Sequence, residues 1–217
     1  MRVVASAITL MLLAISAADS QERPRSDGER AQPAHARATI VAFDTCLQER
    51  FKDVDEGFGF ARIMKPGATT HRFKPENVRE DAAVNDLERA HLRVVLYLTG
   101  RAVLRSDLPA EWRRELTKGP VEVTSTGKDI DATAAPKPLD LDADSRRAMT
   151  AFAKGEPYDF TAPGWNFVAL PVRASDASCL ECHDENGGTH RALRNAGSTL
   201  RVGDPLGVVL YGYRPSR

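Results

Sequence analysis

The sequence predicts an α+β domain with an antiparallel sheet. Helical spacing of apolar residues dominates the first half of the domain, whereas short aromatic and β-branched runs occur in the second half. The regular alternation of strands and helices that repeated βαβ units require is not visible. A chain of 217 residues is long enough for one domain with a hydrophobic core, and we find no internal repeat.

The first twenty residues are typical of an export signal. Arg2 supplies a positive charge, an almost entirely apolar stretch follows, and small residues then offer cleavage positions. The apolar stretch is shorter than the ~20 residues that span a bilayer. We therefore expect a signal peptide at 1–20, a disordered Pro- and charge-rich spacer at 21–35, and a domain at 36–217. The domain would be periplasmic or extracellular, with no membrane span after cleavage.

Apolar spacing and capping residues predict four helices. They are residues 36–54, residues 75–98 with Gly100 as the cap, a short helix after Asp107, and a helix from an Asp144 cap to Lys154. The long second helix carries His91 on its apolar stripe, where a core histidine is commoner than a ligand.

Short β-branched and aromatic runs predict the strands. They are residues 121–123, 167–172 and 208–213, with a shorter extended segment at 60–64. Residues 68–75 are polar and predict an irregular segment, and the Ala-, Pro- and Asp-rich residues 128–141 predict a loop.

The charge balance excludes some partners. The chain carries 30 basic and 30 acidic residues, so it offers no electrostatic basis for binding nucleic acid. Neither a nucleophile elbow, nor a phosphate loop, nor a zinc-protease motif is present. The sequence thus favours a protein that is not an enzyme.

The chemically distinctive motif is Cys179-Leu180-Glu181-Cys182-His183. A Cys-x-x-Cys-His sequence is the attachment signature of c-type haem. The thiols of Cys179 and Cys182 can each add to a porphyrin vinyl group, which leaves the imidazole of His183 to ligate the iron. The motif therefore predicts one covalently attached haem c.

Three other interpretations of the motif stay open. A zinc site could use both cysteines and a histidine such as His190, although a second ligand pair is missing. A redox dithiol would need a βαβ frame. A simple disulfide is compatible with an oxidising compartment.

The second axial position of the iron has several candidates. They are Cys46, Met64, Met149, His35, His71, His91, His190 and water. Cys46 is notable because an unpaired cysteine is unusual in an exported protein. A small buried side chain on a helix is its ordinary interpretation.

Several segments resemble a family of exported single-haem c-type domains with a PAS-like fold, labelled DUF3365. The similar segments are an early helix carrying Cys46, Phe73-Lys74-Pro75-Glu76-Asn77, residues 167–172 running into the haem motif, and Gly203-Asp204-Pro205-Leu206-Gly207-Val208. The resemblance implies a PAS-like antiparallel sheet flanked by helices, with N-terminal helices. It also implies that His183 and Cys46 are the axial pair.

These observations predict an exported mono-haem protein for redox sensing or electron transfer. A thiolate ligand would favour ferric iron and a low reduction potential. The chain would then act with a redox or signalling partner protein whose identity is unknown. One alternative is a small haem peroxidase with an open distal site, and another is a zinc- or disulfide-stapled binding module.

Overall fold

The computed structural model describes residues 32–52, 64–65, 71–101, 117–124, 135–183 and 200–215, with 181–183 described by their backbone. The helices are α1 (Gln32–Lys52), α2 (Val78–Arg89), α3 (Asp142–Ala153) and α4 (Ser178–His183), and a 3-10 helix spans Pro138–Leu141. The strands are β1 (Met64–Lys65), β2 (His71–Phe73), β3 (Leu92–Gly100), β4 (Thr117–Val123), β5 (Tyr158–Ala162), β6 (Trp165–Arg173) and β7 (Pro205–Pro215). Within these ranges, no helix is both long and apolar enough to cross a membrane.

The strands form one seven-stranded sheet in the order β1-β2-β4-β3-β7-β6-β5. Neighbouring strands are antiparallel, except that the short β2 runs parallel to β4. The long central strands β3 and β7 pair from Leu92↔Pro215 to Gly100↔Gly207. The α+β class and the PAS-like sheet flanked by helices are therefore confirmed, and the parallel β2 makes the sheet mixed.

Different helices cover the two faces of the sheet. Alternate side chains of a strand point to opposite faces. Val94 and Leu96 of β3 join one buried cluster with α1 and α2, whereas Val95 and Tyr97 join a second cluster with α3. We call these the α1 face and the α3 face.

The first predicted helix is confirmed as α1. Ile40, Phe43 and Leu47 recur on one side of it and are at most 1% exposed against the sheet. The helix begins at Gln32, inside the predicted spacer, and ends with basic residues that suit the negative end of the helix dipole.

The prediction of one helix over 75–98 is confirmed for its first half and wrong for its second half. α2 begins at an Asn77 cap, whose side chain accepts a 3.0 Å hydrogen bond from the Glu80 amide, and it ends at Arg89. His91 then adopts a positive φ of 52° in an exposed turn, so it is not a core histidine of a helix. The apolar run that follows is the buried strand β3, because a run covered on both faces shows no period that separates strand from helix.

Other differences are smaller. The predicted strands 121–123, 167–172 and 208–213 lie within β4, β6 and β7. Residues 71–73 form a strand where an irregular segment was expected, and the helix α3 begins at Asp142, so Asp144 lies in its first turn instead of capping it. The predicted helix after Asp107 and most of the extended segment 60–64 lie outside the described residues. So does the start of the predicted loop 128–141, of which the described end includes the 3-10 helix.

Candidate functional site

The Cys-x-x-Cys-His motif forms α4, in the connection between β6 and β7. Asp176 precedes this helix, and its carboxylate accepts a 2.8 Å hydrogen bond from the Ser178 amide. That bond satisfies a backbone donor that the first turn of a helix leaves free. The hydrogen bonds from the Ser178 side chain and amide hold the pKa of Asp176 below its usual range. The charged carboxylate therefore helps to start the helix that carries the motif.

Two backbone hydrogen bonds join the segment before α4 to the turn before β7. Ala174 donates its amide to the Asp204 carbonyl at 3.0 Å, and Gly203 donates its amide to the Ala174 carbonyl at 2.8 Å. Gly203 has a φ of +94°, which a residue without a side chain adopts freely. The helix thus starts from a fixed point beside the ends of β3 and β6 and the beginning of β7. We call this end of the sheet the motif end.

Cys179 lies at the base of α4 as a half-buried free thiol. Its Sγ atom is 3.5 Å from the hydroxyl oxygen of Ser175. Cys179 and Leu180 pack against a small buried cluster, which consists of Ala174, Leu200 and Leu206. This cluster attaches α4 to the body of the domain.

The donor set of α4 fits a c-type haem. Positions 179 and 182 are three residues apart in a helix, and positions 179 and 183 are four apart, so all three fall within little more than one turn. Two cysteines and a histidine at this spacing along the backbone are the residues that covalent attachment and iron ligation require. Among the side chains that the structure describes, no group of three or more His, Cys, Asp or Glu could hold a metal ion, and Cys182 and His183 are outside that search.

Cys46 lies on α1, in a different buried cluster from that of Cys179. It is 7% exposed, within the buried cluster of the α1 face. Arg50, one helical turn further along, contacts Glu80 of α2, so this side of α1 faces α2. Gln48 lies about 200° around the helix from Cys46 and donates a 3.3 Å hydrogen bond to the Pro171 carbonyl of β6. The described structure places Cys46 and Cys179 in separate clusters, and their joint ligation stays a prediction.

The other candidate ligands are scattered. His35, His71 and His91 are exposed on α1, on β2 and in the turn before β3. Met149 is 3% exposed and packs in the cluster of the α3 face, which is the ordinary role of a methionine. His190 and the side chain of Met64 lie outside the described residues.

Sequence reasoning missed a buried carboxyl group at Asp44. Its Oδ1 atom accepts a 2.6 Å hydrogen bond from the Tyr211 hydroxyl and one of 3.2 Å from the Gln48 amide. Burial raises the pKa of Asp44 to about 6, although both hydrogen bonds act to lower it. The helical spacing with Phe43 and Leu47 predicts a partly buried position for residue 44, but the tyrosine comes from the distant strand β7.

We expect Asp44→Asn to remove a pH dependence of stability. The folded-state pKa of Asp44 lies above its ordinary value of 3.8, so the protonated form is favoured in the fold. The resulting stabilisation is present below pH 4 and is lost as the pH rises through about 6. At about 1.4 kcal/mol per pKa unit, the loss is about 3 kcal/mol.

Urea unfolding at pH 4.5 and pH 7.5 measures this effect. The variant should lack the decrease that the unaltered chain shows between these two values. The exposed Asp159→Asn serves as the control, and an equal decrease in Asp44→Asn would contradict the assignment.

Comparison of the chain with protein-family models, with curated proteins and with solved structures found no match.

Proposed function

We propose that the chain is an exported mono-haem c-type protein that acts in redox sensing or electron transfer. One observation carries the proposal: Cys179, Cys182 and His183 fall within one short helix that is fixed to the end of the sheet. The resemblance noted in the sequence and the PAS-like sheet support the same assignment.

The residues of α4 would have different roles in binding the haem. Cys179 and Cys182 would form the thioether bonds, and His183 would ligate the iron. The haem, when bound, supplies a one-electron ferric–ferrous couple. Ser175 and Asp176 position this helix, because one contacts the Cys179 thiol and the other supports the first turn.

Mass spectrometry of the intact protein tests the proposal. The chain is to be exported in a host that has a cytochrome c maturation system. We expect the mass of the mature polypeptide plus one haem, which stays bound in acidified organic solvent. A bare polypeptide from a host that matures a control cytochrome would overturn the proposal.

The axial role of Cys46 is tested separately. If Cys46 ligates the iron opposite His183, Cys46→Ala should shift the ferric Soret band and raise the reduction potential, because an anionic donor that stabilises ferric iron is lost. Optical redox titration measures both. Cys46→Ser is the closest variant in size. Unchanged spectra in both variants would exclude Cys46 as a ligand.

The position of Cys46 favours a second candidate, a small haem peroxidase or oxidoreductase with an open distal site. Cys46 is buried in the cluster of the α1 face, whereas Cys179 packs against a separate cluster. A high-spin ferric spectrum and rapid reaction with hydrogen peroxide would support this candidate. A six-coordinate low-spin spectrum with thiolate character would exclude it.

A further inference from the structure

Apolar side chains at the motif end of the sheet are covered unequally on the two faces. On the α3 face, Thr99 is 2% exposed and Val208 is fully buried. On the α1 face, Leu98 of β3 and Leu170 and Val172 of β6 are only half-buried, at the rim of the core cluster. The α1 face therefore has accessible apolar surface at this end.

The strand register joins these side chains into one surface. Leu98 and Leu170 both pair with Val209 of β7, so they flank it on the same face. In the next row, Gly100 and Val172 both pair with Gly207.

Gly100 and Gly207 carry no side chains, so the surface of the sheet is flat where these two residues pair. A Cβ at Gly207 would lie 2.7 Å from the Thr99 carbonyl oxygen, so only glycine fits there. At Gly100, by contrast, no heavy atom of the described structure lies within 4 Å of the position that a Cβ would take. Among the described residues there is thus an open space beside half-buried Leu98 and Val172. We call Leu98, Gly100, Leu170 and Val172 the motif-end patch.

The motif-end patch lies between α1 and α4. On one side, the Gln48 amide of α1 reaches the Pro171 carbonyl, between the two patch residues of β6. On the other side, the chain continues from Val172 to Ser175, whose hydroxyl contacts the Cys179 thiol. Leu206, which directly precedes Gly207, packs against Cys179 and Leu180. The patch and the haem motif therefore share one end of the molecule.

We propose that the motif-end patch is the surface on which one face of the covalently held porphyrin packs; this inference rests on the proposed function. A porphyrin tethered at Cys179 and Cys182 is a broad apolar ring that gains by leaving water. The paired glycines allow a flat ring to approach the backbone closely. Leu98, Leu170 and Val172 are then positioning residues for the ring, and the iron lies over the α1 face.

Methyl NMR of the haem-loaded protein tests this placement without any substitution. Ferric iron is paramagnetic, and its effect on methyl signals falls steeply with distance. We expect the methyl signals of Leu98, Leu170 and Val172 to be shifted strongly in the ferric protein. Leu92 is the matched control, because it is a half-buried leucine of the same strand, packed against the same cluster, about 20 Å away. A larger effect at Met149 of the α3 face than at Leu98 would overturn the inference.

The variant Gly100→Leu gives a second test. Its side chain would enter the open space, so the fold should persist and haem should still be attached, as intact mass would show. The ferric absorption maximum and the reduction potential should change, whereas Leu92→Ala should leave both as they are. If haem is attached and Gly100→Leu changes neither quantity, the packing inference fails while the proposed function stands. If the unaltered chain carries no haem, the proposed function itself fails.

Discussion

Replacing both Cys179 and Cys182 by Ala is expected to abolish covalent haem attachment, from a stoichiometric adduct to none. Thioether bonds need both sulfur atoms as attachment points, and no other described cysteine lies on α4. Cys179 is half-buried at the edge of a small cluster, so the fold should survive the change. Intact mass spectrometry and extraction with acidified organic solvent measure the outcome.

The matched control for the double variant of Cys179 and Cys182 is Cys46→Ala. It also removes a free thiol, but one that lies on α1, so the adduct should remain. An adduct that persists in the double variant would contradict the attachment of haem through α4. Circular dichroism of the double variant shows whether the loss of haem reflects the missing thiols or a failure to fold.

Glu80→Gln is expected to destabilise the fold by about 3–5 kcal/mol, the usual cost of removing one partner from a buried ion pair. The side chains of Arg50 and Glu80 are 6% and 3% exposed. Arg50 Nε donates a 2.8 Å hydrogen bond to Glu80 Oε1, and a second guanidinium nitrogen contacts Oε2. The variant leaves the Arg50 charge buried without its main counter-charge. Urea unfolding followed by circular dichroism gives the free energy.

The control is a second ion pair that also involves α1. Arg37 and Asp159 are 3.0 Å apart, with side chains 41% and 43% exposed. Asp159→Asn should change stability by less than about 1 kcal/mol, because exposed pairs are screened by water. Equal effects of Glu80→Gln and Asp159→Asn would show that the α1–α2 pair does not hold the two helices together.

The same pair predicts a loss of stability in acid. Burial alone would raise the pKa of Glu80, but the hydrogen bonds from Arg50 and from the Glu76 amide outweigh it, so the pKa is lowered from its usual 4.5. A lowered folded-state pKa means that the stabilisation is present above pH 4.5 and is lost below it. The stability of Glu80→Gln should therefore lack this decrease below pH 4.5. Asp44 has the opposite slope and acts at higher pH.

The second predicted helix shows where a pattern in the sequence is insufficient. The residues from Val78 to Leu87 have helical spacing and an Asn77 cap, and they form α2 as predicted. The apolar run that follows fits a helical stripe equally well. It becomes β3 because β4 and β7 pair with it on both sides. Those partners are far away in the chain, so the local pattern does not contain them.

By itself the sequence determined the α+β class, the helix α1, the main strands and the spacing of the Cys-x-x-Cys-His motif. These features depend on local periodicity, caps and the identity of neighbouring residues. Only the tertiary structure decided that Cys46 is buried in the cluster of the α1 face, that Asp44 meets Tyr211 and that the motif end carries half-buried leucines. The physical reason is that the rotation of a helix about its axis and the register of a strand are set by partners distant in the chain.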